Sequence, residues 1–239
     1  MEGKRTTKTK AKRMIELAAL ALTLIVLPIG TYLYTSKGWD YFQEMKGELH
    51  EYGQLPDFAL EDQTGQVLEV EDVKGRIVVS SFMKAGAEKS DFLVSQVAKL
   101  YDQFKDTDVV VFLFYILNPE STTVASLNNF AQASGLTDEE QCFFLTGDPS
   151  KMESVLANGY KWPTDYGKKN REEPYQLSSN STEGESYYPY VVLSDTSNVI
   201  RNYYSFEDNR AMGRLVEHIA LMLPNRGKGK PVVRREVEK

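Results

Sequence analysis

The chain has 239 residues, 28 basic and 34 acidic, for a net charge of −6. That length holds one domain with extensions or two small ones, and 41% hydrophobic with 26% charged residues suits a folded core, not a disordered chain. One cysteine excludes an intrachain disulfide framework, a Cys-x-x-Cys pair and a cysteine zinc site; two histidines leave little for an imidazole metal centre. No dinucleotide-binding, P-loop, nucleophile-elbow or zinc-protease signature occurs.

Charge is unevenly placed. Residues 1–13 carry +5 and residues 225–239 carry +4, which leaves −15 for the body between them. So acidic a body repels a phosphate backbone, and no nucleic-acid partner is expected. The basic ends read as a topology signal and a solvated tail.

From Leu17 to Tyr34 the chain runs without a charge, and Met14 and Ile15 extend the run past Glu16. A spanning helix needs about 20 apolar residues, so the run suffices. Tyr32, Tyr34 and Trp39 fall where interfacial aromatics belong, and Pro28 and Gly30 are tolerated in such helices. The basic cluster precedes the run, which puts residues 1–13 in the cytoplasm and the rest across the membrane. A cleaved signal peptide is the rival reading. No small-residue cleavage site follows and the run is long for a signal, so an uncleaved anchor over 14–36 is expected.

A mixed polar connector, a stalk or short helix, follows over 37–54. Pro56–Leu60 and Gln66–Val70 read as two strands about the turn Asp62-Gln63-Thr64-Gly65. Arg76–Met83 reads as a buried strand, and Ser90–Phe104 as a helix with one apolar face. Asp108–Leu117 is nearly all β-branched or aromatic, as in a strand buried on both faces. A helix over Glu120–Ala133, a strand over Gln141–Leu145 and a Pro-started helix over Pro149–Asn158 follow. Residues 163–186 are a polar insertion loop. Tyr190–Leu193 and Val199–Tyr204 flank the hairpin signal Asp195-Thr196-Ser197-Asn198, and Asn209–Leu223 is a last amphipathic helix.

Strands alternating with helices imply an α/β domain. A βαβ crossover closed by a hairpin and helix is the thioredoxin-like order: three layers, α/β/α, about a central mixed sheet, here behind one N-terminal transmembrane helix. The expected division is 1–13 cytoplasmic, 14–36 anchor, 37–54 connector, 55–224 domain and 225–239 basic flexible tail.

Residues 56–82, Asn118–Thr123, Leu145-Thr146-Gly147 and the segment from Tyr188 to Ile200, taken together and in this order, are similar to the Sco/SenC family of membrane-anchored, thioredoxin-fold copper chaperones for cytochrome c oxidase assembly. Residues 56–82 (PDFALEDQTGQVLEVEDVKGRIVVSSF) resemble its opening strand, turn and first core strand. Asn118–Thr123, Leu145-Thr146-Gly147 and the segment from Tyr188 to Ile200 resemble later family stretches, in the family's order. The resemblance implies a bacterial inner-membrane protein with a single span and a periplasmic domain.

The family carries Cys-x-x-x-Cys in the loop after this strand and a His ahead of the hairpin. Carried onto this chain, those positions are Ala87, Asp91 and Tyr187. Copper(I) prefers soft thiolate, and thiol–disulfide exchange needs two sulfurs. On this resemblance the site is degenerate: no cofactor, no metal and no enzymatic activity are expected. The expected role is a non-catalytic binding or accessory one in respiratory oxidase assembly, with a protein partner and no small-molecule substrate identified. The alternatives are a rebuilt thiol-independent enzyme around Glu88, Asp91 and Tyr187, or an altered metal site with Asp91.

Other side chains have plain readings. Cys142 reads as a small buried hydrophobe, His218 as a surface or partly packed residue, and His50 as solvated. Met83 and Glu88 are candidates to line the pocket, as is Pro189, whose peptide bond the resemblance implies is cis. Tyr188, Tyr190, Tyr203 and Tyr204 have two readings, ordinary sheet packing or a surface for a partner.

Overall fold

The computed structural model describes residues 3–84, 88–117, 122–155, 160 and 190–224. The chain divides into two compact units, Met1–Glu48 and Leu49–Lys239.

The first unit is one helix, α1, over Gly3–Gly47, with Pro28 inside it. Inside the apolar run, Thr23 and Thr31 each donate a hydroxyl proton to the carbonyl four residues back, both at 2.8 Å. Those bonds satisfy both hydroxyls within the helix itself. The helix continues into the stretch expected as a connector. Good helix formers (Gln43, Glu44, Met45, Lys46) and a ring stack between Trp39 and Phe42 at 5.9 Å explain the continuation.

The second unit is built on a six-stranded sheet in the order β1-β8-β7-β4-β5-β6. The strands are β1 Gly53–Gln54, β4 Ile77–Met83, β5 Val110–Ile116, β6 Cys142–Leu145, β7 Tyr190–Ser194 and β8 Val199–Ser205. β4 runs parallel to β5 and antiparallel to β7. A separate hairpin of β2 Ala59–Glu61 and β3 Val67–Glu69 turns on Asp62, whose Oδ1 accepts from the Thr64 and Gln66 backbone N–H groups at 2.8 and 3.1 Å. Gly65 has φ +81°, the left-handed conformation that glycine adopts at no steric cost. β3 stops short of its expected end because Val70 opens a 3-10 helix, Val70–Val73, and β2 starts at Ala59, three residues later than expected.

The helices are α2 Glu88–Phe104, α3 Val124–Ser134, α4 Pro149–Ser154 and α5 Asn209–Met222. α3 starts later than expected because Thr123 caps it, its Oγ1 accepting from the Ser126 N–H at 3.2 Å. Strand alternation splits the core in two. Ile77, Val79 and Met83 share one cluster with side chains of α2, α3 and α5. Val78 and Phe82 share the other with β2, β3, Val73 of the 3-10 helix and Met152 of α4. The expected mixed sheet with both faces covered is present.

Asn118, the insertion 163–186 and the tail 225–239 lie outside the described residues, as do Ala87, Tyr187, Tyr188 and Pro189. The expectation of a cis bond before Pro189 therefore has no counterpart here.

Candidate functional site

The candidate site is the end of the sheet where β4 stops and α2 begins. Seven consecutive buried residues make β4 a strand covered on both faces, and it ends at Met83. The Lys84 backbone N–H donates to Ser90 Oγ at 3.0 Å, tying the strand end to the first turn of α2. Ser90 is buried, whereas Asp91 beside it is exposed. β7 enters this end antiparallel to β4: Val192 pairs with Ser80, and Tyr190 lies two residues nearer the site.

Met83 does not line an open pocket. It is 1% exposed and belongs to the apolar cluster that includes Ile116 and Leu93, because odd positions of β4 face α2. Glu88 opens α2, and Lys89 follows it. Asp91 thus sits at a helix start in solvent, where a carboxylate keeps its hydration.

The tyrosine surface is corrected as well. Tyr190, Tyr203 and Tyr204 are 7%, 3% and 3% exposed, so they pack within the domain and present no outer face. Tyr190 and Tyr203 face the β2–β3 side, and Tyr204 faces α5, because β8 alternates its side chains across the sheet. Tyr204 Oη and His218 Nδ1 lie 2.6 Å apart, and His218 is fully buried. The expectation of a surface or partly packed His218 fails because Tyr204 supplies a polar partner inside the core.

Below the end of β4 the structure places three hydroxyls that the sequence reading did not single out. Ser80 Oγ lies 2.9 Å from Tyr160 Oη, and Tyr160 donates to Tyr115 Oη at 3.0 Å. Phe82 closes the group, stacked on Tyr115 at 5.5 Å and edge-on to Tyr160 at 4.8 Å. Burial pushes the Tyr115 and Tyr160 phenols above their ordinary range, so all three hydroxyls stay neutral and serve as hydrogen-bond groups, not as bases. Strand alternation could have flagged Ser80 and Tyr115. Tyr160 carries no local signal.

Cys142 starts β6 opposite Phe112, well before the ends of the strands that meet at the site. It is fully buried, and desolvation with the nearby Asp138 charge pushes its thiol up to about 12. A protonated, enclosed thiol is a poor nucleophile and metal ligand. Among the described residues no group of three or more His, Cys, Asp or Glu is placed to hold a metal ion.

The architecture defines a class: a mixed-sheet, thioredoxin-like domain behind an N-terminal apolar helix. Solved structures share the fold of the domain. A SCO1/SenC family lipoprotein from Bacillus anthracis str. Ames superposes with a TM-score of 0.55 at 17% identity, covering 71% of this chain and 94% of that one. BsSco, a member of the Sco family of cytochrome c oxidase assembly proteins, gives 0.58 at 16% identity, covering 73% and 95%. Copper-bound ScoI from Bradyrhizobium japonicum gives 0.50 at 18%, covering 72% and 100%. No curated protein sequence matches this chain. The SCO1/SenC family model matches residues 48–220, well over half of the chain, and the chain belongs to that family.

Proposed function

We propose that this chain is a membrane-anchored SCO1/SenC protein that acts by binding a protein partner during respiratory oxidase assembly, not by carrying copper or exchanging disulfides. One observation carries the reading: the chain's one cysteine, Cys142, is buried in β6 and held protonated. No thiol pair exists anywhere in the sequence, and the resemblance carries the family's ligand positions onto Ala87, Asp91 and Tyr187. That donor set does not fit copper(I): alanine offers nothing, a carboxylate is hard, and a neutral phenol is weak. The solvent-exposed Asp91 also weighs against a closed catalytic cleft rebuilt around it.

The basic cluster ahead of the run supports residues 1–13 in the cytoplasm of a bacterial cell and the domain in the periplasm, and the length of the run with no small-residue cleavage site after it favours an uncleaved anchor. A partner among the oxidase assembly proteins follows from the family and from that compartment.

The test is a copper(I) titration of the detergent-solubilised protein against a competing chelator under reducing conditions. The expected result is no stoichiometric binding at sub-micromolar affinity. Tight one-to-one binding would overturn the reading and return copper delivery to this chain.

A further inference from the structure

The hairpin turn Asp195–Asn198 lies at the end of the sheet opposite the candidate site. Tyr190 pairs with Ser205 at the site end, and Ser194 with Ile200 at the other. There the turn, the segment that runs through β1 to Asp57, and the 3-10 helix enclose a cavity of about 770 Å³. Backbone bonds fix two walls to the turn. The Leu55 N–H donates to the Asn198 carbonyl at 2.7 Å, and the Gly75 N–H, just past the 3-10 helix, donates to the Thr196 carbonyl at 3.1 Å. The cavity is thus formed before anything enters it, as ligand sites of this size usually are.

Its polar groups are mostly acceptors. Asn198 ends the turn with φ 60°, in the left-handed conformation, and lines the cavity. It is 9% exposed, and its Oδ1 is buried with no hydrogen-bond partner. A buried acceptor left without a donor is costly, so a ligand that brings an N–H recovers that cost. Asp57 lines the same cavity, and among the described residues no cation pairs with it. Glu71 is matched by Lys74 at 3.0 Å, which leaves the Asp57 charge in excess. Tyr52 adds an aromatic wall, and Leu55 and Val70 an apolar one. An arginine side chain fits such a lining: its guanidinium only donates, is always charged and stacks on rings, while its stem is apolar.

The chain itself supplies that group. Residues 225–239 carry +4 against −15 for the body, and they include Arg234 and Arg235. β8 ends at the site end of the sheet. α5 starts there and packs Met212, Leu215 and Ile219 into the core, so it runs back toward the cavity end. The ten residues from 225 to 234 span up to about 33 Å when extended. A domain of this length has a radius of gyration of about 16 Å, so the arginine pair reaches the cavity.

We propose that this cavity is an arginine site, occupied by the chain's own tail through Arg234 and Arg235.

The test uses the full-length chain in detergent micelles and a fluorescein-labelled synthetic peptide of residues 225–239, with binding read by anisotropy. The wild-type chain holds its own tail at an effective concentration near millimolar and should exclude the peptide. The full-length Arg234→Gln/Arg235→Gln chain leaves the cavity open and should bind the peptide at least about ten-fold more tightly. Adding Asp57→Asn or Asn198→Gly to that chain should weaken binding about ten-fold. Glycine keeps the left-handed backbone at 198, and Asp57 is exposed, so both variants should fold; thermal melts check this. The peptide carrying Arg234→Gln/Arg235→Gln should also bind about ten-fold more weakly. Equal binding to the wild-type and Arg234→Gln/Arg235→Gln chains overturns the tail as occupant. Binding indifferent to both Asp57→Asn and Asn198→Gly, or no binding to either chain, overturns the site.

Discussion

Gln63 pairs with Phe144 as a strand would. Its side-chain Oε1 accepts from the Phe144 N–H at 2.8 Å, and its Nε2 donates to the Cys142 carbonyl at 2.8 Å. One side-chain amide thus supplies both halves of a ladder step along the outer edge of β6. Glu61 and Thr146 complete that edge with two backbone bonds of 2.9 Å. An unpaired strand edge invites pairing with another chain, and this one is closed from within.

Replacing Gln63 with leucine should therefore do more than remove two bonds. It strands a buried N–H and a buried carbonyl, each costing about 1–3 kcal/mol. The expected outcome in urea denaturation is a loss of roughly 2–4 kcal/mol, with a rising tendency to self-associate seen by light scattering. A loss below about half a kcal/mol would mean that water replaces the amide.

Tyr160 links Ser80 to Tyr115. Tyr160→Phe keeps the ring packing against Phe82 and deletes the shared hydroxyl. The expected cost is about 1–3 kcal/mol, and Tyr160→Ala should cost more, about 3–5 kcal/mol. Thermal melts of the two variants separate the hydroxyl from the ring. Equal losses would assign the whole effect to packing.

Cys142 gives the protein a stability term at alkaline pH. Its thiol is raised from 9.0 to about 12 by burial first and the Asp138 charge second, so the protonated form favours the fold. That contribution is complete below about pH 9 and is lost as pH rises from 9 toward 12. Cys142→Ala should flatten the decline in stability between pH 9 and about 10, before ordinary tyrosines titrate. In the native protein at pH 8 a thiol reagent should label Cys142 only after unfolding. Fast native labelling would show that β6 opens.

Gly147 has no room for a methyl group: a Cβ there would lie 2.9 Å from Leu60 Cδ2. Leu60 is 1% exposed, so it cannot swing into solvent. Gly147→Ala should cost about 1–3 kcal/mol. Combining it with Leu60→Val should recover part of that loss in a double-mutant cycle, and strict additivity would rule out this contact as the cause.

Much of this architecture was written in local pattern. Seven buried residues in β4 and seven in β5 appear as runs rich in β-branched and aromatic residues, and the Asp195–Asn198 turn announced its hairpin. The apolar helix was equally plain, since an uncharged run behind a basic cluster needs no tertiary context to be read. The missing thiol pair is likewise a property of composition. Side-chain fate was a different matter. Tyr190, Tyr203 and Tyr204 were open to two readings, sheet packing or an exposed surface, and only their neighbours across the sheet decide for packing. Met83 turned into the core because its place in the strand alternation faces α2.

The sequence by itself determined the strands, the amphipathic helices, the long apolar helix and the absence of a thiol pair, because each is a matter of composition or of residues close together along the chain. Tertiary structure alone decided that Gln63 closes an edge strand, that Tyr160 reaches Ser80 and Tyr115, and that His218 meets Tyr204 in the core. Those partners lie 81, 80, 45 and 14 residues apart, and hydrogen bonds at such separations arise only when the sheet brings distant segments together.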